Sequence, residues 1–216
     1  HATMYLLILT TQYMYEVEKE EPKTGKEKAV SILGSIGTFI YSFIETVVIA
    51  LVIAVVLYLF IMTPHEVLGN SMYPTYKNGE YLMANKLTYR FTEPKRGDVI
   101  IFKYSDTQDF IKRIIGTHGD TIMVKDGKVY VNGTQLDESA YLEDTVYTSG
   151  GDYLAEGETI TIGENEYFVL GDNRPHSSDS RTFGPIDENQ IKGKAWIVYL
   201  PISEFRIVTH ETYNNL

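Results

Sequence analysis

Two stretches of the chain hold residues whose types could do chemistry together: "GNSMYPT" (69–75) with Ser71, and "DFIKRII" (109–115) with Lys112. A serine hydroxyl is a weak nucleophile and needs a base to take its proton. A lysine serves as that base only when its amine is neutral. Period-two alternation along 109–115 places Phe110, Lys112 and Ile114 on one face, and Ile111, Arg113 and Ile115 on the other. An amine between two apolar neighbours is desolvated, which disfavours the ammonium and lowers its pKa from about 10.4. Reaching about 8 costs on the order of 3 kcal/mol, at about 1.36 kcal/mol per unit. The product is a Ser-Lys pair, one of the variants of nucleophilic catalysis. Taken singly, each residue also has an ordinary reading: a serine in a Pro/Gly/Asn turn, and a lysine whose stem snorkels over the surface.

Other chemistries find less support. Ser71 lacks the second glycine of a G-x-S-x-G elbow, and Pro74 stands at the lysine position of S-x-x-K. His65-Glu66 has no second histidine to complete a zinc motif, and the chain has no cysteine. Neither a metal nor a cofactor is expected. A Ser-His-Asp triad would draw on His1, His65, His118, His176 or His210, which are terminal, next to an apolar run, or in apparent loops. The net charge of -10, with no basic run longer than two residues, speaks against a nucleic-acid partner.

A third stretch, "GDNRPHSSDSR" (171–181), is too polar for a strand core. Were it extended, Ser177, Asp179 and Arg181 would share a face. A hydroxyl there would orient the lysine, and Asp179 and Arg181 would pair to fix the loop. The alternative is a solvated turn.

These residues need elements to position them. Val47–Met62 is an uncharged apolar run; extended back to Phe39 it reaches 24 residues with Glu45 as its one charge. As a helix it spans about 36 Å, enough for a bilayer core of about 30 Å. It is longer than the apolar region of a signal peptide and is not followed by a small-residue cleavage site. Lys19, Lys23, Lys26 and Lys28 precede it, whereas the next basic residue is Lys77. The positive-inside rule then keeps the N-terminus in the cytoplasm. We therefore expect a flexible cytoplasmic tail over 1–30, a transmembrane anchor over 31–62 and an outer domain over 63–216. That domain reads as mainly β: strands at 98–102, 110–115, 158–162, 166–170 and 195–200, with Asp126-Gly127 and Asn132-Gly133 turning tight hairpins within 121–136. No helix of a dozen residues is expected there. The acidic, Gly-rich stretch 137–157 reads as a surface excursion.

Taken in order after one apolar segment, "NSMYPT", "RGDVIIF" (96–102), "DFIKRIIGTHGD" (109–120) and "GDNRPHSSDSR" resemble the bacterial type I signal peptidases, over about Phe39 to Val208. The resemblance implies a membrane-anchored Ser-Lys endopeptidase with a signal-peptidase-like β-rich catalytic domain behind one transmembrane helix. It implies Ser71 as nucleophile, with its own N–H in the oxyanion hole, Lys112 as general base, and Ser177, Asp179 and Arg181 in support. The implied partners are the signal peptides of secreted preproteins, cut after small residues at -1 and -3, and the lipid bilayer. The implied place is the bacterial cytoplasmic membrane, with the catalytic domain outside as a monomer. An extended substrate is expected to add as a strand between Val67, Leu68 and Gly69 on one side and Asp109, Phe110 and Ile111 on the other. Two departures stand out. Gly69 occupies a position where some members carry a serine that aids the oxyanion hole, and "GTHGD" (116–120) replaces a segment usually resembling G-L-P-G-D. Eukaryotic and archaeal relatives resemble the chain less, having a histidine where Lys112 stands. Self-cleaving repressors share the chemistry but carry a DNA-binding domain and no anchor.

Overall fold

The computed structural model describes residues 24–213, in two compact units divided between Val55 and Val56. Expectations for residues 1–23, including most of the cytoplasmic tail with Lys19 and Lys23, lie outside the described residues. The first unit is dominated by helix α1 (Gly25–Phe60), so residues 25–30, expected in the tail, form its first turns. Its stretch Lys28–Tyr58 is long and apolar enough, by length and composition, to cross a membrane. Apolar side chains such as Ile36, Ile44, Val48, Ile49 and Ile53 are exposed around its whole circumference. A helix of a soluble core would instead keep one polar face.

The second unit is built from β-strands. Its larger sheet holds β1 (Met62–Glu66), β2 (Tyr81–Asn85), β3 (Val99–Lys103), β4 (Asp109–Gly116), β9 (Glu166–Leu170), β10 (Ile186–Asp187), β11 (Ile191–Leu200) and β12 (Arg206–Ile207). The path runs β1-β2-β11-β3-β4-β9-β10, with β12 on β11 and every pairing antiparallel. A second sheet, in the order β7-β6-β5-β8, joins β5 (Thr121–Lys125), β6 (Lys128–Val131), β7 (Thr134–Gln135) and β8 (Thr159–Thr161). The expected Asp126-Gly127 and Asn132-Gly133 turns are present, with φ between 51° and 79° at all four residues, as a type I′ hairpin requires.

β3 explains why the site has a dry floor. Val99 and Ile101 join one core cluster, with Leu82, Ala84 and Val198, while Ile100 and Phe102 join another, with Ile114 and Val169. Both faces of the strand are buried, as its unbroken apolar run suggests. The sheet curls enough that His65, on its β1 edge, comes within 3.7 Å of Asp109 on β4, although β2, β11 and β3 lie between them in the hydrogen-bonded order. The sequence did not disclose β1, where Pro64 sits on an edge strand, or β2, whose Leu82 and Ala84 alternate inward. The stretch 137–157, expected as a surface excursion, is tied down at points: Leu154 and Thr148 are buried, and Glu138 pairs with the buried Arg174. Beyond the end of α1, the α-helices among the described residues of this unit are short, α2 (Thr88–Phe91) and α3 (Ser180–Phe183).

Candidate active site

Ser71 stands on the turn that leaves β1. The turn is fixed from below by Val67, whose N–H donates to the Glu80 carbonyl at 2.8 Å and whose carbonyl accepts from Gly79 N–H at 2.8 Å. Met72 and Tyr76 are buried on either side of the exposed Tyr73-Pro74 step, which plugs the turn into the core under β2 and β3. Ser71 Oγ is thereby left pointing at β4.

Lys112 is buried, at 3 % exposure, and its Nζ lies 2.8 Å from Ser71 Oγ. Phe110 and Ile114, its expected face partners, pack with the cluster of Ile100 and Phe102, and Ile100 pairs directly across from Lys112. This apolar setting draws the amine down to about 8; loss of hydration is the main cause, opposed by the negative charges of Asp179 and Asp172. The Nζ also donates to its neighbour Ile111's carbonyl at 3.0 Å. A neutral amine has two N–H bonds and one lone pair, so a donation to Ile111 leaves the lone pair available for the Ser71 hydroxyl proton. Among the described residues no histidine hydrogen-bonds Ser71. His118 lines a separate hollow with Arg96 and Lys194, and His210 is held between the Val99 N–H and the Ala195 carbonyl.

The segment 171–181 is neither extended nor solvated. It forms a 3-10 turn at Arg174–His176 and then α3, capped by Asp179. Asp179 is fully buried and meets Arg181 at two points, both 2.8 Å, and it accepts from the Gly171 N–H at 3.1 Å. Arg181 reaches on to the carbonyls of Ser149 and Arg174. The expected Asp179–Arg181 pair is therefore present, but not through a shared strand face. Ser177 was expected to orient Lys112; its hydroxyl is buried and makes no hydrogen bond among the described residues. It sits instead where backbone meets backbone. A Cβ added at Gly171 would come within 2.1 Å of Ser177 Oγ and 2.4 Å of the Ser71 carbonyl oxygen, so only glycine allows this approach.

Sequence reasoning missed the neighbours Asp172 and Asn173. Asp172 accepts two bonds from the Arg113 guanidinium, at 2.9 and 2.7 Å, and one from the Thr75 hydroxyl at 2.6 Å. It thus ties β4 to the turn carrying Ser71. The polar stretch gave no signal for this long-range pairing beyond Arg113 facing away from Lys112.

Val67, Leu68, Gly69, Asp109, Phe110 and Ile111 line one cavity of about 290 Å³ together with Ser71 and Lys112. The two segments expected to hold a substrate thus face a common groove. Gly69 has φ +90°, in the left-handed region, with open space where its Cβ would be, and its N–H donates to Asn78 Oδ1 at 2.7 Å. A serine at this position would be strained by its backbone, not by crowding. The Ser71 N–H has no acceptor among the described residues.

With this geometry in view, the comparisons are specific. A family model described as signal peptidase, peptidase S26, matches residues 40–200. The chain belongs to this family. It is similar to signal peptidase IB of Staphylococcus aureus (strain COL), 38% identical over 178 residues, covering 77% of this chain and 93% of the relative. It is also similar to signal peptidase I S of Bacillus subtilis (strain 168), 37% identical over 166 residues, covering 75% and 90%. Among solved structures, a signal peptidase I of Enterococcus faecalis V583 matches with 31% identity and a TM-score of 0.40, over 48% of this chain and 97% of that one. As a member of the signal peptidase family the chain is a serine peptidase, a hydrolase.

Proposed function

We propose that this peptidase removes N-terminal signal peptides from secreted preproteins, using Ser71 as nucleophile and Lys112 as general base. The observation that carries the reading is the 2.8 Å approach of a buried amine, its pKa drawn down to about 8, to the Ser71 hydroxyl in the groove. The substrate lies extended between 67–69 and 109–111, adding a strand by backbone hydrogen bonds. The residue before the bond sits over the shallow floor by Ser71, which suits small side chains at -1 and -3.

Ser71 Oγ then attacks the scissile carbonyl carbon while its proton passes to Lys112 Nζ. The negative oxygen that forms is met by the unoccupied Ser71 N–H. As the tetrahedral centre collapses, the C–N bond breaks and Lys112 returns its proton to the departing amine. Water repeats the sequence on the acyl-enzyme: Lys112 takes its proton, the ester bond to Ser71 breaks, and Ser71 Oγ is reprotonated. In this reading α1 anchors the chain in the bacterial cytoplasmic membrane with its N-terminus inside and the catalytic unit outside. The lysine bias before the apolar run supports that orientation. Holding enzyme and preprotein on one surface supplies proximity.

The test is cleavage of a preprotein by Ser71→Ala, Lys112→Met and the double variant. Each single variant should lose nearly all turnover while keeping its fold. The double should be no worse than either, because the two groups act as one unit. Substantial turnover by Ser71→Ala would refute the mechanism, whereas a parent protein that neither cleaves a preprotein nor reacts with a serine-directed covalent probe would leave a membrane-tethered binding module as the better reading.

A further inference from the structure

The hairpin between β3 and β4 carries a ring that the mechanism above does not use. Tyr104 lies face to face on Phe110, with centroids 4.2 Å apart and planes 6° from parallel. Phe183, at the end of α3, closes on both rings at 5.2 and 6.4 Å, and Phe102 of β3 meets Phe110 edge-on at 6.1 Å. Such aromatic contacts add attraction beyond the area they bury, so Phe110 is held from several sides. Its ring centroid in turn lies 4.9 Å from Lys112 Nζ. Tyr104 does not line the groove, and among the described residues it reaches the dyad through Phe110.

A ring over an amine acts in two directions. Its π face attracts an ammonium, which favours the protonated form, and its bulk keeps water off, which favours the neutral form. In this site loss of hydration outweighs the charges of Asp179 and Asp172, and the amine is drawn downward. The charged groups around the amine are Asp172 and Asp179, from the segment after β9, and Arg113, turned to the opposite side of β4 toward Asp172. Glu66, Asp109 and His176 stand on the wall of the groove. None of them contacts Tyr104 in the aromatic stack, so removing that ring changes the water around Lys112 and not the charge.

We propose that Tyr104 is a positioning residue for this reaction, holding the Phe110 ring as a water-excluding cover on the Lys112 amine. The inference rests on the reading of Lys112 as the base. Without Tyr104, Phe110 loses its stacked outer face, turns from the amine and lets water in. The amine then becomes harder to deprotonate, and the fraction of enzyme with a competent base falls about tenfold for each unit by which its pKa rises.

The experiment compares Tyr104→Ala, Tyr104→Leu and Tyr104→Phe by the pH profile of kcat/KM on a peptide substrate. In parallel, Lys112 itself is titrated by NMR of labelled lysine in the Ser71→Ala background, a readout that needs no turnover. Tyr104→Ala should move the acid limb and the Lys112 titration together to higher pH, with rates converging on the parent's in alkali. Tyr104→Leu, which keeps apolar bulk but not the flat stack, should shift the same way and serves if the alanine variant does not fold. Tyr104→Phe keeps the stacked ring and should keep the parental limb. A Lys112 titration unmoved in both Tyr104→Ala and Tyr104→Leu, or a loss of rate equal at every pH, overturns the cover. A titration that moves while the limb stays overturns Lys112 as base, and with it the role of Tyr104 in the reaction.

Discussion

Asn173 holds Ser71 by its backbone: the Asn173 N–H donates to the Ser71 carbonyl at 3.0 Å, and its side-chain amide donates to the carbonyl of Asn70 at 2.9 Å. The proposed nucleophile is thus gripped at two successive peptide units by one residue of a distant loop, while its hydroxyl stays free to meet Lys112.

Asn173→Ala removes one of these bonds and keeps the other. A net contribution of about 0.5–1.5 kcal/mol is typical for such a bond, so the fold should survive. Misplacing the hydroxyl by a fraction of an ångström should nevertheless lower kcat more than it raises KM. Steady-state kinetics on a peptide substrate check this; an unchanged kcat would show that the carbonyl of Asn70 needs no tether.

The buried base should cost stability in a definite pH window. Lys112 is drawn down from 10.5 to about 8, so between those values the unfolded chain binds a proton that the folded one does not. Below about 8 both are protonated and the folded state carries the whole penalty, up to roughly 3 kcal/mol at about 1.36 kcal/mol per unit. The penalty is relieved as pH rises through the window. Lys112→Met should therefore be more stable than the parent near neutral pH, with the advantage shrinking toward pH 10.5. Denaturant melts of both proteins across pH give the answer, and a constant difference would mean the amine is hydrated.

Asp179→Asn should act on stability and on the base at once. It leaves the buried Arg181 guanidinium without its carboxylate, a change that typically costs about 3–5 kcal/mol. It also removes the first of the two negative charges that favour the Lys112 ammonium. The melting temperature should fall, and the acid limb of kcat/KM should move to lower pH, opposite to the shift expected for Tyr104→Ala. A limb displaced upward would show that water entering the loosened site outweighs the lost charge.

What the sequence disclosed follows the range of the interactions concerned. The parity of Phe110, Lys112 and Ile114 is set within a few residues, and it correctly placed the amine among apolar neighbours. The type I′ turns at Asp126-Gly127 and Asn132-Gly133 are likewise local. The setting of Ser177 was not legible because it depends on the 3-10 turn at 174–176, which no periodicity announces. Asp172, Arg113 and Thr75 meet only because the sheet curls, and that curl is a property of many strands together. Tyr141 illustrates the same limit: within a stretch that reads as solvated, its ring lies 4.0 Å from the Arg113 guanidinium.

The back-to-back placement of Lys112 and Arg113 on β4 has a further consequence. One strand presents a cation that can release its proton to the groove and, on the reverse side, a cation that never does, neutralised by Asp172. A slip of β4 by a single residue would exchange them and turn a guanidinium toward Ser71. Such a chain would be inert rather than indiscriminate. Register thus decides which of two neighbouring cations, the titratable or the permanent one, meets the Ser71 hydroxyl.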